Sequence, residues 1–148
     1  MTARVGTAGV GRAGETSTRT PAGTFDLTEA FGRAADPGTV LPYRMIDGDD
    51  WWVSDPASPL YSSYAECEPG PFSEAAGEDL HAAGAIYDHA VVIDHNREGT
   101  PGAGPAFFLH IAHGAATNGS VAIDRGSLRT LLRGLDPGAF PVIAIGVG

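Results

Sequence analysis

The sequence predicts one mainly β domain with some α-helix, an α+β fold, over residues 1–148. A length of 148 residues fits a single domain, and 43% hydrophobic residues are enough to build a core. Glycine and proline together supply 32 residues (21 Gly and 11 Pro), which indicates frequent turns between short elements. The two strongest apolar runs, Ala90–Ile93 and Ala106–Ile111, are short and rich in β-branched or aromatic residues, as is typical of strands.

The first half of the chain reads as loops and short strands. Residues 1–24 favour loops with at most one short strand, and a turn is predicted at Pro21–Gly23. Trp51–Val53 is a strand candidate because turn residues flank it on both sides. Ser73–Ala83 predicts a short helix with Ser73 as its N-cap and acidic residues in its first turns.

The second half carries the clearest periodic signals. The two apolar runs predict neighbouring strands joined as a hairpin through a long loop at 99–105. Asp124 is expected to cap a helix that runs to about Gly134, and Val142–Ile145 is predicted to be a final buried strand. The helix has an apolar stripe of Leu128, Leu131, Leu132 and Leu135. Its arginines are interpreted as a solvated face: Arg125, Arg129 and Arg133.

Charge and hydropathy exclude several classes of partner. All nine basic residues are arginine, and against 18 acidic residues the net charge is −9. Such an acidic chain is poorly suited to nucleic acid or to anionic membrane surfaces. No apolar run reaches the 18 or so residues of a membrane span, and Met1–Val10 is not expected to act as a signal peptide. We therefore expect neither nucleic-acid binding nor a membrane span.

The residues that could bind metal do not form a recognised pattern. The single cysteine, Cys67, can form neither an internal disulfide nor a cysteine-rich zinc site, and its acidic neighbours make it a poor nucleophile. His110 and His113 would project from opposite faces of a strand. His89 and His95 are interpreted as surface or strand-end residues. No metal and no cofactor are predicted. A solvated acidic loop is expected at Asp47, Asp49, Asp50 and Asp55.

His110 and Ser120 are the candidate catalytic pair. His110 ends a very apolar strand and enters a glycine-rich loop, a common place for a functional site, although a buried histidine bonded to the backbone has the same pattern. Ser120 is a candidate nucleophile with His110 as its base. Its flanks are not those of a Gly-x-Ser-x-Gly elbow, so a plain loop serine remains the alternative.

Several segments together resemble the L,D-transpeptidase catalytic domain (YkuD-like) in its compact bacterial form. Thr20–Phe25 is similar to the Thr-Pro-x-Gly-x-Phe motif of that family. Further similar segments are Leu41–Tyr43, Trp51–Pro56, Ser58–Tyr61, Tyr87–Asn96, Phe107–His110, Gly119–Ile123 and Leu131–Ile143, so the resemblance covers nearly the whole chain. It implies a β-sandwich or barrel-like domain with one covering helix at about 124–134.

The resemblance also implies an activity, acyl transfer on peptidoglycan stem peptides in cell-wall cross-linking or remodelling, without a cofactor. In such enzymes a cysteine thiolate attacks the peptide bond before a terminal D-alanine, and an amine of a second stem takes the acyl group. His110 would be the base, the carbonyl of Ile111 would orient it, and Gly119 with residue 120 would form the nucleophile turn and oxyanion hole. Substrate contacts are expected from His113, Gly114, Thr117 and Asn118.

The resemblance further implies an extracytoplasmic location at the bacterial envelope and acylation by carbapenem-type β-lactams. The family pattern has Gly-Cys where this chain has Gly119-Ser120. Three interpretations follow: a substitution that silences the enzyme, a natural non-catalytic homologue that binds stem peptides, or a slow serine nucleophile.

Overall fold

The described residues, 1–68 and 72–147 of a computed structural model, form several β-sheets and one α-helix. The strands are β1 (Val10–Gly11), β2 (Thr20–Pro21), β3 (Gly23–Gly32), β4 (Tyr43–Met45), β5 (Asp50–Val53), β6 (Tyr64–Glu66), β7 (Gly77–Asp79), β8 (Ala90–Ile93), β9 (Phe107–Ile111), β10 (Val121–Ile123) and β11 (Val142–Ile145). The α-helix is α1 (Arg125–Gly134), and short 3₁₀ turns lie at Glu74–Ala76, Gly84–Tyr87 and Pro137–Ala139. The predicted α+β class is confirmed, and the described strands close no barrel. None of the helices in this part of the chain has the length and apolarity needed to cross a membrane.

A six-stranded sheet forms the centre of the domain. Its order is β10-β9-β8-β3-β11, with β4 also paired to β3. β8 and β9 are antiparallel neighbours with Val92 opposite Phe108, which confirms the predicted hairpin. β10 runs parallel to β9 with Ala122 opposite His110. A three-stranded sheet has the order β6-β5-β7, and β1 pairs with β2 in a separate parallel ribbon.

Each face of the central sheet packs on a different layer. Because side chains alternate along a strand, Val91 and Leu109 face α1, whereas Val92 and Phe108 face the opposite side. On the helix side, two fully buried leucines of α1 pack against the sheet, Leu128 and Leu132. The opposite side packs on Trp52, Leu80 and Tyr87. His110 lies two residues beyond Phe108 on β9, so it belongs to this second face.

Helix α1 begins where predicted, but its leucine stripe and its arginine row agree only in part with the prediction. The Asp124 carboxylate accepts the N–H of Ser127 at 2.9 Å, so Asp124 is the N-cap. Leu131 and Leu135 are only half-buried, unlike the other two leucines of the stripe. The arginine row is not purely solvated. Arg125 pairs with Asp88 at 2.9 Å, and Arg133 Nε donates to the Pro37 carbonyl at 2.8 Å.

The predicted helix at 73–83 is wrong. After one 3₁₀ turn the chain becomes extended at Gly77 and pairs with β5 as β7. A Cβ at Gly77 would lie 2.8 Å from the Phe72 ring and 3.1 Å from the Trp51 ring, so tertiary packing selects the strand here. The Ser73 side chain makes no capping hydrogen bond.

Three burial predictions are also corrected. β11 is a strand as predicted but not a buried one, since it pairs with β3 alone and Val142 is 54% exposed. His89 lies at a strand end, directly before β8, which confirms one of its two interpretations; it is not on the surface, because it is 4% exposed and its Nε2 lies 3.1 Å from the Ala35 carbonyl. Asp50 of the acidic run is buried, where it accepts hydrogen bonds from the Asp47 N–H and the Tyr64 hydroxyl.

Candidate active site

A cavity of about 600 Å³ brings the predicted catalytic residues together with others from distant parts of the chain. The N-terminal segment contributes Glu15 and Arg19, β7 contributes Glu78, and a 3₁₀ turn contributes Tyr87. His110 and Ser120 complete the wall from β9 and from the loop that precedes β10. The site therefore lies on the face of the central sheet opposite α1.

His110 is buried and oriented by its backbone. It is 4% exposed, and its Nδ1 lies 3.0 Å from the Ile111 carbonyl oxygen, the contact that the family resemblance implies. If Nδ1 carries the proton and donates to that carbonyl, Nε2 is left as the basic nitrogen. Burial lowers the pKa of His110; the hydrogen bond with the Ile111 carbonyl opposes part of this effect, and the nearby His113 adds to it. His110 also lines the cavity. It is therefore both a buried histidine bonded to the backbone and a residue of the candidate site, the two alternatives that its sequence position left open.

Ser120 directly precedes β10 and is half-buried. Its Oγ accepts the backbone N–H of Phe108 at 3.2 Å, which ties one lone pair of the hydroxyl to β9. No hydrogen bond joins Ser120 to His110 among the described residues. In that same part of the chain, the backbone N–H of Ser120 has no acceptor, so this donor is free to bind a ligand oxygen.

Two threonine hydroxyls fix the backbone of Ser120. Thr117 Oγ1 donates to the Ser120 carbonyl at 2.5 Å, and Thr20 Oγ1 contacts the same oxygen at 3.4 Å. Thr20 is fully buried and also accepts the N–H of Gly6 at 2.9 Å. In the sequence Thr20 stands out only as part of a motif, so its contact with the nucleophile position was not predicted.

Gly119 shapes the turn that presents Ser120. Its φ is +132°, a conformation that side chains other than glycine's rarely adopt. Its N–H donates to Thr117 Oγ1 at 3.2 Å, so this group is engaged within the turn. Of the two residues expected to form an oxyanion hole, only Ser120 therefore keeps a free backbone donor in the described structure.

The predicted substrate-contact residues are distributed unevenly. His113 and Asn118 are exposed and line the cavity. Thr117 also lines the cavity but is buried, and its hydroxyl accepts the Gly119 N–H within the turn. Gly114 is exposed with a φ of +96° and does not contribute to the cavity wall.

Glu78 and Tyr87 are site residues that sequence reasoning did not identify. The Tyr87 hydroxyl donates to Glu78 Oε1 at 2.5 Å, and the Tyr87 ring meets the His110 ring edge-on with centroids 5.5 Å apart. Burial raises the pKa of the Glu78 carboxyl and of the Tyr87 hydroxyl. Glu78 lies in the segment 73–83 that was predicted to be a helix, so the sequence predicted no partner for its side chain.

No cluster of three or more His, Cys, Asp or Glu side chains suited to a metal ion occurs in the described ranges. Comparison of the chain with protein-family models, with curated proteins and with solved structures finds no match. Function is therefore inferred from the sequence motifs and from the geometry of the cavity.

Proposed function

We propose that this chain carries an acyl-transfer site of the L,D-transpeptidase type, which acts on peptidoglycan stem peptides at the bacterial envelope. The finer fold assignment, an L,D-transpeptidase-type sandwich with one covering helix, is part of the same proposal. The observation that carries it is the His110 arrangement. A buried imidazole, whose pKa burial lowers, is held through Nδ1 by the Ile111 carbonyl within a cavity that also contains Ser120.

The proposed reaction uses groups that line this cavity. Ser120 Oγ attacks the carbonyl carbon of the peptide bond before a terminal D-alanine, and its proton passes to His110 Nε2. The free backbone N–H of Ser120 donates to the carbonyl oxygen as that atom gains negative charge. The proton on His110 then passes to the departing D-alanine amine. An amine of a second stem attacks the resulting ester and restores Ser120.

A second candidate function is the binding of stem peptides without turnover, and the contacts of Ser120 favour it. Its hydroxyl oxygen is tied to the Phe108 N–H rather than to His110. In addition, His110 is oriented by a neutral carbonyl, whereas serine hydrolases commonly use a carboxylate at this position. The first feature lowers the nucleophilicity of the Ser120 oxygen, and the second leaves His110 without the carboxylate that stabilises an imidazolium.

The test is a reaction with a synthetic tetrapeptide stem that ends in D-alanine, followed by mass spectrometry. The proposed function predicts D-alanine release and cross-linked product with Ser120→Cys, and slower release with the native chain. Release by Ser120→Cys alone would assign the native chain to the binding role. If neither protein released D-alanine while both remained folded, the acyl-transfer proposal would be wrong.

A further inference from the structure

β11 forms an open edge of the central sheet. It pairs with β3 alone among the described strands. The N–H of Leu27 donates to the Pro141 carbonyl at 3.0 Å, so every second residue from Pro141 onward directs its backbone groups at β3. The backbone groups of Val142 and Ala144 therefore point away from β3, and they make no hydrogen bond to another described segment. The open side of β11 can accept a further strand.

This edge lacks the features that usually prevent exposed strands from pairing. Natural edge strands carry charged side chains, outward-facing prolines or bulges. Residues 137–148 include no charged residue, although the whole chain has a net charge of −9. Pro141 lies opposite Leu27, so its missing N–H is on the side of β3 and not on the open side. Two copies of the segment can therefore meet without placing like charges opposite each other.

Both faces of the sheet are apolar at this edge. On the face away from α1, Val142 is 54% exposed and Ala144 is also exposed. On the helix face, three side chains that pack on the core are only half-buried: Ile143, Ile145 and Leu135. A strand added beside β11 would remove the exposed parts of these side chains from water, which stabilises the pairing.

Phe140, directly before β11, extends this apolar surface. Its side chain is 82% exposed and its φ is +52°. A left-handed conformation is strained for a bulky residue, and such strain is found mainly where the conformation serves a function. Exposed aromatic rings are frequent anchors at interfaces between proteins.

The order of side-chain sizes along this segment fits a second copy of itself. In an antiparallel pair with a two-fold axis at Ile143, the outward backbone groups of Val142 meet those of Ala144 in the second copy. The larger valine then lies opposite the smaller alanine, and position 140, a phenylalanine, is opposite Gly146. On the helix face, Ile143 lies opposite its equivalent. Each larger residue of the exposed face is thus matched with a smaller one.

We propose that β11 is a homodimerisation edge, at which two copies of this chain join their central sheets through antiparallel β11 strands. The dimer uses the open β11 edge of both copies, so association stops at two. Since one short strand from each copy forms the contact, we expect a reversible equilibrium between monomer and dimer. No residue of β11 lines the cavity with His110 and Ser120, so this inference does not depend on the proposed function.

Sedimentation velocity of the native chain over a range of protein concentrations tests the proposal. The average mass should rise from that of one copy and level off at that of two. Hydrogen exchange at the Val142 and Ala144 amides should be slower in the concentrated solution than in the dilute one. A mass of one copy at every concentration, a mass that grows beyond two copies, or exchange that is independent of concentration would overturn the proposal.

Two variants with the same substitution locate the interface. Ala144→Lys should weaken dimerisation about tenfold or more, because the ammonium group would lose water beside Val142 of the second copy. Ala82→Lys is the matched control, since Ala82 is exposed in the turn after β7 and adds the same charge outside β11. Both substitutions make the net charge less negative, so a loss of the dimer cannot come from stronger overall repulsion.

Circular dichroism checks that both variants are folded, as expected from the exposure of both positions. Dimerisation of Ala144→Lys at the native affinity, or an equal loss in both variants, would contradict the assignment of the interface to β11.

Discussion

Serine at position 120 changes the chemistry that His110 must perform. A thiol has a pKa near 8.5 and is partly ionised at neutral pH, so a neighbouring histidine can hold it as a thiolate. A serine hydroxyl ionises far less readily, and its proton has to leave during the attack itself. Ser120 also accepts the Phe108 N–H, which reduces the electron density available on Oγ. The native chain is therefore expected to be much slower than its Ser120→Cys variant.

His110 is predicted to be the base for acylation. In the Ser120→Cys background, His110→Ala should abolish acylation by a stem peptide, because it removes the imidazole that the Ile111 carbonyl orients in the wall of the cavity that also contains residue 120. The measurement is intact-protein mass during the first turnover. Acylation at the full rate in the double variant would refute the assignment of the base.

The buried hydroxyl of Thr20 is predicted to stabilise the nucleophile turn. Thr20→Val keeps the shape of the side chain but leaves the Gly6 N–H without its acceptor, at a cost of about 1–3 kcal/mol. Thr20→Ser keeps the hydroxyl and should cost clearly less. Urea denaturation of the three proteins measures the difference, and equal midpoints for Val and native Thr would show that the hydroxyl contributes nothing.

At the scale of elements, helix α1 offers a direct comparison of two neighbouring leucines. Leu132 is fully buried against the central sheet, whereas Leu131 is half-buried. Leu132→Ala should therefore lower the free energy of unfolding by about 2–5 kcal/mol. Leu131→Ala should lower it less, because its exposed part is not removed from water. Denaturant unfolding tests this order, and a larger loss for Leu131 would mean that the helix face is misassigned.

Local sequence signals were sufficient for elements whose pattern and environment agree. β8 and β9 are β-branched or aromatic and buried on both faces, and α1 has both an N-cap and an apolar stripe. They were insufficient at 73–83, where Gly77 is extended because its backbone packs on Phe72 and Trp51. Local sequence signals also did not predict the exposure of β11, because the spacing of apolar residues and the composition do not show which strand lies at the edge of a sheet.

The site was predictable only where its residues follow one another in the chain. His110, Gly119 and Ser120 lie in the strand and loop that the sequence singled out, and the cavity contains all three. Glu78 and Tyr87 come from segments distant in sequence, and the register of β7 on β5 brings Glu78 into place. Nothing in the local pattern around Glu78 indicates that register.

At the scale of the whole molecule, the half-buried carboxyl of Glu78 is predicted to change how stability depends on pH. Because its folded pKa is raised above its usual range, its stabilising contribution is complete below pH 4.5 and is lost as pH rises through the folded pKa. Glutamine does not titrate. The stability of Glu78→Gln relative to the native chain should therefore increase between pH 4.5 and pH 7.5.

Urea midpoints of both proteins across that pH range provide the measurement. The lowered pKa of His110 acts in the opposite direction, since its protonation on acidification destabilises the folded state, and this effect is common to both proteins. A constant difference between the two proteins at all pH values would show that Glu78 titrates as an exposed carboxyl.

The central claim is that the cavity around His110 is an acyl-transfer site whose nucleophile position is residue 120. Its most direct test is intact-protein mass after incubation with a carbapenem, for the native chain and for Ser120→Cys side by side. The claim predicts a stoichiometric adduct on the cysteine variant, with a slower adduct or none on the native chain. Absence of any adduct on both proteins, with both shown to be folded, would contradict it.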